Sequence, residues 1–425
     1  MLQTLRNAWK IADLRKKILF TLFILAIFRI GCAIPVPFVD QEQVKAIFQS
    51  VGDGNLLGYM NMLSGGALSQ STIFALSISP YITAQIIVQL LAIAIPALER
   101  MSKNGEEGRR QLNNITKYAT IVLGLVQSLA YYLTMKSNGV VASNSVFAGF
   151  VIVLTFTAGA MLVMWLGNLI DQKGIGNGIS MILFAGILAG GPSAATLLWQ
   201  YFMIGGKFYI LVPVIIVMFL LIIAFIVLMT NAERRIPVQY AKRVVGRKMY
   251  GGQATNIPIK VNMSGVLPII FASSIMALPG TIDAFVNQKA GGFWDGFFKL
   301  FSYNGWLYGV LLFLLIIAFN YFYVAIQYNP VEIANNLRKN NGGVPGIRPG
   351  KPTSDFIAKV VSKITLLGGL FLGFMAVLPI VVGALTNINI ALGGTTVMIL
   401  VGVAIDTVRE LESQMMMRHY KGFLE

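Results

Sequence analysis

Uninterrupted apolar blocks of about twenty residues recur along the whole 425-residue chain, and they restrict its folding more tightly than anything else in it. The block at 208–230 contains no charged residue at all. Water would force such a segment to be buried on every side, whereas a bilayer accepts it directly. A helical crossing needs about 20 apolar residues. In hydrocarbon every backbone N–H and C=O must be satisfied within the protein, so the blocks are expected to be helices. Charged residues make up only 12% of the chain, against about 25% in soluble domains. Candidate spans lie at about 18–34, 72–95, 119–135, 146–170, 179–198, 208–230, 265–282, 306–328, 364–385 and 395–411. The expected fold is one all-α, polytopic membrane domain over residues 1–425 with ten transmembrane helices.

Charge orients the bundle. The segments before span 1 and at the ends of spans 2, 4, 6, 8 and 10 hold 27 of the 33 Lys and Arg and 12 of the 17 acids, a net of +15. The alternate loops hold Lys45, Lys136, Lys207, Lys289 and Lys299 against Asp40, Glu42, Asp53, Asp283 and Asp295, a net of zero. The positive-inside rule then places both termini in the cytoplasm. An error of one span would scramble the alternation. Three expected cytoplasmic loops, 96–118, 231–264 and 329–363, are longer than a bundle needs for its connections. The stretch from Asn340 to Pro352 is rich in Gly and Pro and is expected to project without regular helix. Long basic loops on one face suit a large, negatively charged partner.

Several kinds of chemistry are poorly provided for. Ion-coupled carriers place Asp, Glu, His or Lys inside their spans; here Arg29 is the one clear charge at depth. It is expected to snorkel outward or to serve the bundle's structure. Neither an HExxH metal site nor a buried aspartate pair for proteolysis is evident, and no cofactor is expected. Cys32, alone, cannot form an internal disulfide, and His419 stands by itself near the end of the chain. No cleavable leader is expected. GIGNGIS at 174–180 lacks the preceding strand and the spacing of a dinucleotide fingerprint, and reads as a tight turn into span 5. GEEGRR at 105–110 reads as a solvated charged turn.

The approach to span 2, LLGYMNMLSGGALSQS at 56–71, is apolar but too short and glycine-broken to span. Two arrangements remain open on residue chemistry: a segment folded back into the bundle, or a turn lying on the membrane surface. Irregular backbone at membrane depth requires the first to be buried in protein or to line an aqueous cavity.

An ordered set of motifs resembles the SecY family, whose members form the channel of the secretion translocon. They are RIGCAIPVP (29–37), SGGALS (64–69), SPYITAQIIVQLL (79–91), GEEGRR (105–110), MWLGNLIDQKGIGNGIS (164–180), AERRIPVQYAKR (232–243), PIKVNMSGVLPIIFASSI (258–275), NPVEIANNL (329–337), VPGIRPGKPT (344–353) and GGTT (393–396). They run from end to end of the chain, and their details are similar to bacterial members. The resemblance implies two pseudo-symmetric halves, about 1–200 and 201–425, around a central hourglass pore in the bacterial cytoplasmic membrane. At its waist it implies an aliphatic ring of Ile82, Ile86, Leu183, Ile187, Ile270 and Ile399. It favours the folded-back reading of 56–71 as a short re-entrant plug helix, carried by Asn61, Ser64, Gly65, Gly66, Ala67 and Leu68. A lateral gate between spans 2–3 and 7–8 would release apolar segments into membrane lipid. Its polar candidates are Gln89, Gln127, Ser273 and Ser274, expected to hold the seam by interhelical hydrogen bonds.

The same resemblance assigns docking of the SecA motor or the ribosome to Arg234, Arg235, Lys242, Arg243, Arg247, Lys248 and Arg348. Contact with ribosomal RNA would be to the backbone and nonspecific. The implied partners are SecE, SecG, SecA, the ribosome and signal-bearing precursor proteins, with YidC and SecDF as further candidates. The expected function is gated, passive passage of unfolded polypeptides driven from outside the chain, with no enzymatic activity of its own. The competing readings are a secondary transporter of a small solute, which would need a midplane site with coupling charges, and a membrane enzyme, which would need a catalytic constellation.

Overall fold

The computed structural model describes residues 2–51, 61, 64–142, 145–206, 208–240, 243–245, 248–250, 254–283, 306–386 and 394–421. Each of the ten apolar blocks forms a helix or a pair of helices. In order these are α2 (Ala12–Gly31), α4 (Ser79–Ala94), α6 (Gly105–Ser137), α7 (Val146–Lys173), the pair α8 (Gly178–Ala189) and α9 (Gly191–Ile204), α10 (Phe208–Asn231), α11 (Leu267–Asp283), α12 (Trp306–Gln327), α14 (Lys351–Thr386) and α15 (Gly394–Lys421). Shorter helices lie between them: α1 (Leu2–Lys10), α3 (Gln41–Val51), α5 (Pro96–Lys103) and α13 (Pro330–Lys339). Among the described residues, six segments are long and apolar enough to cross a membrane unaided.

The bundle is apolar outside as well as inside. Ile210, Val217, Leu220, Leu221 and Leu228 of α10 are all more than half exposed, a surface suited to lipid. Chain segments approach closely where a helical glycine leaves room, as small residues allow inside a bilayer. A Cβ on Gly159 of α7 would lie 1.9 Å from the Ile73 carbonyl oxygen, and one on Gly178 of α8 would lie 2.0 Å from that of Gly167. The tight turn expected at GIGNGIS is present. Asp171 Oδ1 accepts from the Gly178 amide at 2.7 Å, Asn177 Oδ1 caps α8 by accepting from Ser180 at 3.0 Å, and Gly176 has φ +76°.

Several boundaries differ from the sequence expectation. Span 2 begins at Ser79, not 72, because Pro80 sits in the first turn of α4, where its missing N–H is no loss. The stretch before it is a chain of turns, with Ser71 and Ser77 at φ +43° and +48°. Span 5 breaks at Gly190, between α8 and α9, with Pro192 in the first turn of α9. Loop 96–118 is mostly helical, formed by α5 and the start of α6. The helix α14, at 36 residues, is about 54 Å long, well beyond a hydrocarbon core of about 30 Å.

The all-α expectation fails in the loop regions. Strands β1 (Glu233–Tyr240), β4 (Ala254–Lys260) and β5 (Gly342–Gly343) form an antiparallel sheet in the order β4-β1-β5. A separate hairpin pairs β2 (Arg243–Val245) with β3 (Lys248–Tyr250). Alternation explains β1: Ile236 and Val238 are buried while Arg235, Pro237 and Gln239 are exposed, the period-2 pattern of a strand with one covered face. Together with Ile259, Leu337, Val344 and Ile357 they build a small core between the sheet, α13 and the start of α14. The stretch 340–352, expected to project, is thereby partly paired: Gly343 stands opposite Gln239 and Gly342 opposite Tyr240.

Candidate functional site

The six ring candidates come from four helices: Ile82 and Ile86 from α4, Leu183 and Ile187 from α8, Ile270 from α11 and Ile399 from α15. All six are buried, none more than 6% exposed, in one cluster. Ile82, Leu183, Ile270 and Ile399 line a cavity of about 30 Å³. Isoleucine and leucine side chains offer no hydrogen-bonding group, so a constriction of this kind resists wetting. The segment 75–79 closes one side of the cavity, a role missed because these residues read as helix. Pro80 was the signal that could have corrected this. The Ser77 hydroxyl is buried there without a hydrogen-bond partner.

The approach to span 2 is folded into the bundle. Ser64, Ala67, Leu68, Ser71 and Thr72 are each no more than 1% exposed. From residue 64 on, the expected plug helix is not helical. Residues 64–71 are successive turns, and Gly65 and Gly66 have φ +69° and +84°, conformations that break a right-handed helix. Asn61 is helical, while 52–60 and 62–63 lie outside the described residues. Asn61 organises the turn: its carbonyl accepts from the Gly66 amide and the Ser64 hydroxyl, both at 2.8 Å, and its Oδ1 accepts from the Ser69 amide at 2.8 Å. The Ser64 Oγ in turn accepts from the Leu68 amide.

Neighbouring helices tie the segment down. Tyr131 of α6 donates to the Leu68 carbonyl at 2.7 Å, and its oxygen lies 3.2 Å from Ser71 Oγ. Residues after span 1 pair with it through Val36 N–H to Ser71 O and Ile73 N–H to Ile34 O, both at 3.0 Å. Phe28 of α2 stacks on Phe74. Arg29 donates from Nη1 to the Gly65 carbonyl at 3.1 Å. Tyr131 and these contacts of span 1 were not legible in the sequence, because they join positions up to 63 residues apart.

At the expected seam, α4 packs against both α6 and α11. The expected hydrogen-bond clasp is not formed by the glutamine carbonyls: Gln89 Oε1 and Gln127 Oε1 are both buried without a partner. They sit on spans 2 and 3, neighbours on one side of the seam, so neither supplies the other's partner across it. Ser273 is buried in α11, and Ser274 lines the central cavity.

Three of the basic candidates lie on the three-stranded sheet or on the turn that follows its last strand. Arg234 and Arg235 are exposed on β1, where Arg235 pairs with Glu233 at 2.7 Å. Arg348 is exposed in the turn between β5 and α14, whose frame is held by Thr353 Oγ1 donating to the Arg348 carbonyl at 2.8 Å and by Gly346 and Gly350 at positive φ. The pairing of β5 with β1 puts both loops on one sheet. Arg243 and Lys248 fall in β2 and β3, and Lys242 and Arg247 lie outside the described residues.

Comparison with known proteins gives one consistent result. The protein-family model described as SecY matches residues 72–408. The protein translocase subunit SecY of Streptomyces scabiei is 43% identical over the whole of both chains, and that of Mycobacterium bovis is 41% identical, again over both whole chains. Among solved structures, one described as a protein conducting channel superposes with a TM-score of 0.68 at 19% identity, covering 94% of this chain and 92% of that one. Sec61 in the canine ribosome-channel complex superposes with a TM-score of 0.64 at 18% identity, covering 94% and 92%. At that identity the structural likeness establishes the fold alone.

Proposed function

The chain belongs to the SecY family, and from that premise we propose that it is the pore of a protein translocase, a gated conduit for unfolded, signal-bearing polypeptides. One observation carries the reading. Six aliphatic side chains from four helices share one buried cluster, four of them lining a small cavity beside a buried, turn-built segment. A ring that cannot hydrogen-bond a passenger lets any sequence slide, and its apolar walls oppose ion passage when nothing fills it. Residues 61–71 serve as the plug of the resting channel. Spans 2–3 and 7–8 form the seam through which apolar segments pass to lipid.

The energy comes from outside the chain. SecA or a translating ribosome docks on the sheet that carries Arg234 and Arg235 and on the adjoining turn that carries Arg348, with both termini on that cytoplasmic face. SecE and SecG complete the complex, and YidC and SecDF act beside it. A small-solute carrier finds no support among the relatives.

The test is reconstitution. The chain is placed in liposomes with SecE and SecG, and SecA, ATP and a signal-bearing precursor are added outside. Precursor protected from protease only when both the chain and ATP are present is the expected result. No protection, with the same partners active alongside a known channel, would falsify the proposal.

A further inference from the structure

Arg29 stands in an apolar helix, and its position is explained by what it touches. Its Nη1 donates to the Gly65 carbonyl at 3.1 Å, while Cys32 Sγ, three residues on and so on the same face of span 1, lies 3.8 Å from the Ser64 carbonyl. Two successive carbonyls of the turn 64–71 thus face the end of span 1. Gly65 is confined on its other side as well. A Cβ there would lie 2.8 Å from Arg29 Nη1 and 3.1 Å from both Cα and O of Gly186, the residue before Ile187 of the ring. The turn is therefore seated between a cation on span 1 and bare backbone on span 5. Gly65 fits that seat because it has no side chain and sits at φ +69°.

We propose that Arg29 is the latch of the resting channel, a positioning residue whose guanidinium holds the turn 64–71 over the ring through the Gly65 carbonyl. This rests on reading residues 61–71 as the plug. The contact suits a latch. Hydrogen bonds made by charged donors are stronger than neutral ones. The acceptor is a backbone carbonyl, so the bond does not depend on any side chain of the turn. Arg29 is itself exposed and lies two residues from the end of α2, so when a passenger displaces the turn the guanidinium can snorkel to the membrane interface. Breaking the contact opens the channel without stranding a buried charge.

The experiment measures chloride leak from liposomes carrying the chain with its translocase partners, without motor or precursor. Arg29→Leu is expected to raise resting leak about tenfold, the lower end for losing a hydrogen bond from a charged donor. Arg29→Lys, which keeps a cationic donor, is expected to restore most of the seal. In a background lacking residues 61–70, leak is expected to be high already and Arg29→Leu to add nothing. Motor-driven transport by Arg29→Leu, retained, shows that the variant folds. Leak unchanged by Arg29→Leu, with the deletion leaky, would overturn the latch and leave the plug standing. Equal increments in both backgrounds, or no rescue by lysine, would overturn the latch in favour of span-1 packing. A deletion that does not leak would remove the plug reading and the latch with it.

Discussion

Single residues matter here mainly through the space and the hydrogen-bonding groups they leave at depth. Gly159 and Gly191 are both helical glycines, yet the structure separates them. A Cβ on Gly159 would collide with the Ile73 carbonyl oxygen, whereas one on Gly191 meets nothing within 4 Å. Gly159→Ala is expected to lower stability by about 1–3 kcal/mol through overpacking, and Gly191→Ala to leave it unchanged or slightly raised. Thermal unfolding in detergent distinguishes them, and equal midpoints for the two variants would count against the close-approach account. Apolar character was legible for every ring candidate. What sequence could not show is that Ile82 and Ile399, 317 positions apart, line the same cavity.

At the scale of elements, helix starts follow local chemistry closely. Asn329 caps α13 by accepting from the amides of Val331 and Glu332, with Pro330 in the first turn. Asn329→Ala is expected to cost about 1 kcal/mol, seen as faster amide hydrogen exchange confined to 330–339. Exchange unchanged there would mean the packing of Ala334 and Leu337 alone holds the helix. The sheet is held differently. Val238 is fully buried between β1 and the helices beneath it, so Val238→Asp places a carboxylate in an apolar core. The expected outcome is a loss of motor-driven transport with resting leak unchanged, because the sheet carries the arginines proposed for docking and not the ring. Alternation in RRIPVQY made β1 readable as a strand, but its partners are 15–27 and more than 100 residues away. The break in span 5 was readable too, from Gly190-Gly191-Pro192.

Across the whole molecule, the proposed channel divides its work between the ring and the sheet. Replacing Ile270 or Ile399 by asparagine puts a hydrogen-bonding amide at the waist, and resting ion leak is expected to rise because the dewetted barrier is lost. Unchanged leak and unchanged crosslinking to a passenger would move the waist elsewhere. Arg348→Glu reverses charge on the exposed turn and is expected to cut motor-driven transport while leaving leak alone, most visibly at low salt. The sequence by itself determined that the chain is a polytopic helical membrane protein, and its charge alternation predicts an orientation, because bilayer thickness and the exclusion of charge act on each segment locally. Its motifs carried the family. Only the tertiary structure decided that residues 64–78 are folded inside the bundle, that two distant loops share a sheet, and that Arg29 meets Gly65. Those outcomes depend on which surfaces fit across long stretches of chain. Inside a bilayer, where all the helices are apolar, that choice falls to close packing and single hydrogen bonds, which leave no periodic trace in the sequence.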